Sequence, residues 1–249
     1  MSTRAAKGSL LVGTSPPRLL PLVIPEVIGR TVLDVGCGAG IIGYCLRNGW
    51  QNTEAGQYQF SKFYERDISN DGPDRLVGVD IQRGSLRRCQ RHFVYDLLCQ
   101  GNVSELPFKA GSFDTVLCLE VIEHLEKRNA QQALAELERV ARMRVVVTTP
   151  RFALDHRTGR DERTFLKYDG EDIEVLEWVD AERHRCQFSI NELRALGYRC
   201  GRRDPGRRFG KYLGPLIRFY DNRLSIARAI LAVKELSHSR STAALPTRS

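Results

Sequence analysis

Along the chain, short apolar runs alternate with segments whose apolar residues recur every three or four positions. Continuous runs at 31–35, 76–80, 95–100, 114–119 and 144–149 predict strands, several of them apolar enough to be buried on both faces. Between them, helical periodicity predicts helices over 39–48, 85–92 and 129–142. Strands separated by helices imply a parallel sheet with helices on both faces. Farther on, Ser189-Ile190-Asn191-Glu192 is an S-x-x-E capping box that starts a helix ending at Gly197. Residues 198–203 and 227–233 read as a final pair of strands.

Where this rhythm breaks, the domain boundaries appear. Residues 1–28 read as an arm and a short helix, opened by Pro16-Pro17 and running to Val27. Residues 29–236 read as one domain with three decorations. An insertion at 49–74 is polar and aromatic (Tyr58, Phe60, Phe63, Tyr64), and 150–188 is too long for an ordinary connection, which suggests a lid or substrate loop. The third, 202–225, is a basic loop carrying Arg202, Arg203, Arg207, Arg208 and Lys211. Residues 237–249, rich in Ser, Thr and Ala, read as a disordered tail.

Composition narrows the class. A chain of 249 residues suits one sizeable α/β domain, and 42% hydrophobic with 27% charged residues excludes a mainly disordered or fibrous protein. The net charge of +8 favours an anionic partner, although a basic solvated surface is the commoner cause of such a balance. Seven cysteines form no C-x-x-C pair, as expected of reduced residues in a cytoplasmic protein. No apolar run approaches the ~20 residues needed to span a bilayer, and no secretory signal is evident. Contact with a membrane, if any, is expected to be peripheral.

The chemistry starts at Thr31–Gly43, TVLDVGCGAGIIG, an apolar strand that breaks into glycines and resumes as a helix. It contains a literal G-x-G-x-x-G from Gly38 to Gly43. In a nicotinamide-binding turn the strand runs straight into the first glycine of that pattern. Here the strand ends at Val35, so the turn is Gly36-Cys37-Gly38-Ala39-Gly40, and the acidic Asp34 sits inside the strand. A carboxylate there suits a cationic ligand and repels a pyrophosphate.

Four segments in order carry a resemblance. Leu33–Gly40 (LDVGCGAG) resembles the first motif of the class I S-adenosylmethionine-dependent methyltransferases, and Val77-Gly78-Val79-Asp80 the second. Residues 101–108 (GNVSELPF) resemble the GDAxxLPF segment beside the adenine, with Asn102 in place of the usual aspartate. Residues 112–125 (SFDTVLCLEVIEHL) resemble the signature of the broad type-11 subfamily that includes ubiquinone-biosynthesis enzymes. The resemblance covers about residues 30–235. It implies a doubly wound seven-stranded sheet, mostly parallel with the last strand antiparallel, and S-adenosyl-L-methionine as cofactor. It also implies cofactor contacts from Asp34, Gly36, Gly38, Gly40, Asp80, Asn102, Val103 and Leu119, with Asp80 accepting from the ribose hydroxyls.

The catalytic candidates are Glu120, Glu123 and His124, at the carboxyl end of the fourth strand, where open α/β sheets bind ligands. A helix starting here would place all three on one face. His124 suits a general base, since its ordinary pKa lies near operating pH. Two carboxylates and an imidazole also suit a divalent metal, and a packed histidine needs neither. The resemblance supports both chemistries: some ubiquinone-pathway O-methyltransferases hold a metal there, and small-RNA 2′-O-methyltransferases add a later histidine, a place taken here by His184. A general base without a metal is the expectation carried forward. The acceptor is expected to be an oxygen of a small-molecule or lipid-type compound, with RNA as the alternative; an inactive cofactor-binding partner subunit would keep the same motifs.

Overall fold

The computed structural model describes residues 19–48, 72–150, 154–155, 160–161, 183–201 and 229–236. The expected N-terminal arm, most of the 49–74 insertion and of the 150–188 loop, the basic loop and the tail lie outside the described residues. A short helix α1 (Leu20–Val23), followed by a 3-10 turn (Ile24–Glu26), leads into β1 (Thr31–Val35). Then come α2 (Ile41–Asn48), β2 (Arg75–Asp80), α3 (Arg83–Gln90), β3 (Leu97–Gln100), β4 (Phe113–Leu119), α4 (Lys127–Val140) and β5 (Ala141–Pro150). A two-stranded piece, β6 (Leu154–Asp155) with β7 (Arg160–Asp161), stands apart from the main sheet. The chain closes with α5 (Ile190–Ala195), β8 (Arg199–Gly201) and β9 (Ala229–Glu235).

The seven-stranded sheet has the order β3-β2-β1-β4-β5-β9-β8. β1 through β5 pair in parallel, and β9 enters antiparallel between β5 and β8, as expected for the last strand. The chain works outward from β1 to β3 and then returns to β4 on the other side of β1. That reversal opens a crevice at the carboxyl ends of β1 and β4.

Alternation along the strands sorts the core into two layers. Leu33, Val35, Val77, Val79, Val116, Cys118, Val145 and Val147 face α4 and α5. Val32, Leu76, Leu117, Leu119 and Val146 face α1 and α2. Leu134 and Leu137, on the buried stripe of α4, each contribute roughly 2 kcal/mol by leaving water. The start of β1 is pinned from β4: the Asp114 carboxylate accepts from the Arg30 amide at 2.9 Å, the Thr31 amide at 3.0 Å and Thr31 Oγ1 at 2.9 Å, and pairs with Arg142. Burial pushes its carboxyl up, but these donors outweigh burial and hold it at about 2.

Element boundaries shift where local geometry overrides pattern. α2 starts at Ile41 and not at Ala39, because Gly36, Gly38 and Gly40 take φ of 75°, 54° and 89°, incompatible with a right-handed helix. β3 begins at Leu97, two residues later than expected, because Tyr95 is drawn toward the glycine turn. The capping box forms as read: Ser189 Oγ accepts from the Glu192 amide at 3.2 Å, and Glu192 Oε2 accepts from the Ser189 amide at 2.7 Å. Among the described residues, no helix is long and apolar enough to cross a membrane.

Candidate active site

Two groups of residues meet at the crevice, one from the β1 and β2 ends and one from the β4 end. On the first side, the amides of Gly36 and Cys37 both donate to the Val79 carbonyl, at 2.8 and 3.0 Å, tying the turn to β2. The Gly38 amide donates to Asp80 Oδ2 at 2.9 Å, while Asp80 Oδ1 accepts from the Gln82 amide at 2.8 Å. One carboxylate therefore shapes the turn and, with lone pairs left, still suits ribose hydroxyls. Ile81, which the pattern of motifs does not single out, is 59% exposed beside Asp80 and offers an apolar surface at the same edge. Asn102 Oδ1 accepts from the Ser104 amide at 2.9 Å, so the residue in place of the usual aspartate first stabilises its own turn. Val103 and Leu119 are both buried.

The glycines are needed for reasons the sequence only partly suggests. A Cβ on Gly36 would lie 2.3 Å from Val121 Cγ2, and one on Gly40 would lie 2.7 Å from Cys89 Sγ. At both positions the protein's own side chains take the space a Cβ would need.

Asp34 is buried, and its carboxyl is raised to about 6, first by burial and then by Asp80, against a lowering hydrogen bond from Tyr95. Burial also raises Asp80. Two carboxylates at one turn fit a ligand carrying an ammonium and a sulfonium and oppose a pyrophosphate. A pH dependence follows. A folded pKa above the unfolded value of 3.8 means that charged Asp34 costs stability above pH 6, on the order of 3 kcal/mol, and that this cost fades as pH falls toward 3.8. The ligand-free fold should therefore gain from this residue in mild acid, while affinity for S-adenosylhomocysteine should drop through about pH 6. Calorimetric titrations from pH 8 to 5 check this, and a flat affinity would remove Asp34 from the site.

On the second side, the expected helix over Glu120, Glu123 and His124 is only a 3-10 turn (Ile122–His124). Glu120 stands before it with φ of 56°, so the three side chains do not share one helical face. The turn instead receives the segment before α5. The amides of Arg185 and Cys186 donate to the Glu123 carbonyl at 2.7 and 3.1 Å, and Arg185 Nη1 donates to the His124 carbonyl at 2.9 Å. Lys127 Nζ donates to the Gln187 carbonyl at 2.6 Å and lies 3.5 Å from the Phe188 ring centroid. This docking brings His184 to the site: its ring centroid is 5.0 Å from that of His124. Glu123, His124 and His184 each offer a ligand atom within 4.8 Å of the others, with Glu123 fully buried and His184 7% exposed. Glu120 is not in this group. His124 Nδ1 lies 3.3 Å from the Arg183 carbonyl, which favours the proton on Nδ1 and the lone pair on Nε2, 4.0 Å from Glu123 Oε1.

Known proteins resemble this chain in sequence and in fold. The model of a methyltransferase domain family matches residues 56–147. A probable S-adenosylmethionine-dependent methyltransferase of Mycolicibacterium smegmatis is 29% identical over 135 residues, which is 53% of this chain. That match spans 42% of the relative's length. Among solved structures, an S-adenosylmethionine-dependent methyltransferase from Mesorhizobium loti shares the fold with a TM-score of 0.52 and 16% identity, over 91% of this chain and all of that one. A putative methyltransferase of Haloferax volcanii, solved with the Trm112 activator, matches with a TM-score of 0.50 and 18% identity, over 84% and 83% of the two chains. The ordered motifs and the sheet order thus stand beside a methyltransferase-domain match over residues 56–147, and the chain is similar in sequence and fold to S-adenosylmethionine-dependent methyltransferases.

Proposed function

We propose that this chain catalyses methyl transfer to an acceptor oxygen, and that Glu123, His124 and His184 gather a divalent cation beside that oxygen. When bound, S-adenosylmethionine supplies the methyl group on its sulfonium. The chain's residues do the rest. Asp34 and Asp80 hold the glycine turn acidic, the turn fixes the cofactor's position, and the cluster at the end of β4 orients the acceptor in line.

The observation that carries the reading is the convergence of the three ligand atoms. With Nδ1 facing a carbonyl, His124 Nε2 presents a lone pair toward a buried carboxylate. Two such electron pairs facing each other are reconciled by a cation or a proton between them. Two imidazoles with one carboxylate suit Mn²⁺ better than Mg²⁺. The proton gives the second reading, His124 as general base. Both use Nε2.

A cation held by Glu123, His124 and His184 would leave room for an acceptor oxygen and would polarise it. That favours a hydroxylated small molecule or lipid, with RNA bearing a terminal ribose as the alternative. The test is transfer of labelled methyl to small-molecule, lipid and RNA extracts, with and without a chelator. Chelator-sensitive labelling that survives nuclease is expected. Loss of label on nuclease treatment would reassign the acceptor to RNA, and labelling indifferent to chelator would leave His124 acting as the base.

A further inference from the structure

The glycine turn has a support that none of the family motifs contains. Tyr95, in the connection from α3 to β3, points its hydroxyl between β1 and α2. It donates to Asp34 Oδ2 at 2.5 Å and accepts from the Gly43 amide at 3.2 Å. Gly43 is the third residue of α2, and first-turn amides have no partner within their own helix. Tyr95 thus caps α2 from a distance while holding the carboxylate at the end of β1.

Gly43 makes room for its ring, and Gly78 and Gly40, whose nearest neighbours are Leu98 and Cys89, also border it. A Cβ on Gly43 would lie 2.4 Å from Tyr95 Cζ, one on Gly78 3.1 Å from Cδ1, and one on Gly40 3.3 Å from Cε2. Neither Gly43 nor Gly78 takes a positive φ, so backbone conformation does not demand a glycine at either position. A glycine inside a helix costs about 1 kcal/mol relative to alanine, and the tyrosine niche gives a reason to bear that cost. The residue is also clamped on both flanks by α2: Arg47 Nε donates to the Val94 carbonyl at 3.1 Å, and Arg47 pairs with Asp96.

We propose that Tyr95 is a positioning residue: its hydroxyl couples Asp34 to the first turn of α2 and so holds the glycine turn in the shape that receives the cofactor. The bearing on the cofactor rests on the reading of this turn as an S-adenosylmethionine site; the coupling itself does not. Besides Tyr95, the titratable groups acting on or responding to Asp34 are Asp80 of β2, Cys37 of the turn, Cys89 of α3 and Cys118 of β4. The Tyr95 bond favours the charged form of Asp34, so its loss moves that carboxyl's titration upward.

Tyr95→Phe keeps the ring in its niche and removes only the hydroxyl. In the ligand-free full chain, amide hydrogen exchange at Gly43 should quicken about 10-fold, with the α4 amides unchanged. In calorimetry, S-adenosylhomocysteine should bind about 10-fold more weakly at pH 8, and its affinity should begin to fall at a higher pH than in the wild type. Gly43→Ala, which presses on the same ring, should reproduce the weaker binding. Unchanged exchange at Gly43, or superposed affinity profiles, overturns the proposal. A wild type that binds no S-adenosylhomocysteine contradicts the cofactor reading instead, and the exchange experiment still decides whether Tyr95 holds the turn.

Discussion

Gly36→Val should abolish S-adenosylhomocysteine binding, weakening it more than 100-fold on the order-of-magnitude costs of backbone strain and overpacking. Gly36 has φ of 75°, where a β-branched residue is strained by roughly 1–3 kcal/mol. The new Cβ would also lie 2.3 Å from Val121 Cγ2. Val121 is the residue before the turn that carries Glu123 and His124, so relief of the clash displaces both halves of the site. Calorimetry on the variant, with a thermal melt to confirm folding, measures the effect. Gly84→Ala is the control, since a Cβ there meets nothing within 4 Å. Wild-type affinity in a folded Gly36→Val protein would mean that the turn does not receive the cofactor.

The second large effect belongs to the histidines. His124→Ala should lower turnover roughly 10²–10⁴-fold with cofactor affinity retained, whether Nε2 holds a cation or takes a proton. His184→Ala separates the two. If the cluster holds a cation, this variant should approach His124→Ala in severity, and Mn²⁺ should rescue chelated wild type but not the variant. If His124 acts alone as a base, His184→Ala should cost little. Near-wild-type turnover in both would leave the pair as packing residues.

Much of this was legible from the residues, because alternation of buried strands and amphipathic helices is a local property. β1 appears at its predicted bounds, the capping box at Ser189 closes as its spacing requires, and the antiparallel final strand takes its expected place. What escaped was tertiary. The i, i+3, i+4 spacing of Glu120, Glu123 and His124 implies one face only if a helix forms, and the positive φ at Glu120 prevents that. His184 was named through the resemblance alone; the backbone bonds to the Glu123 carbonyl that bring it to His124 across some 60 residues are encoded in no local pattern. Tyr95 read as one more strand residue. The clue was present in Gly43, a glycine that no turn requires, but the ring that fills its space comes from a separate connection.

The most direct measurement is calorimetric titration of the full chain with S-adenosylhomocysteine and, separately, with NAD⁺. The acidic turn built by Asp34 and Asp80 predicts saturable one-to-one binding of S-adenosylhomocysteine, weakening below about pH 6, and no binding of the dinucleotide. Tight binding of NAD⁺ with no response to S-adenosylhomocysteine would contradict it.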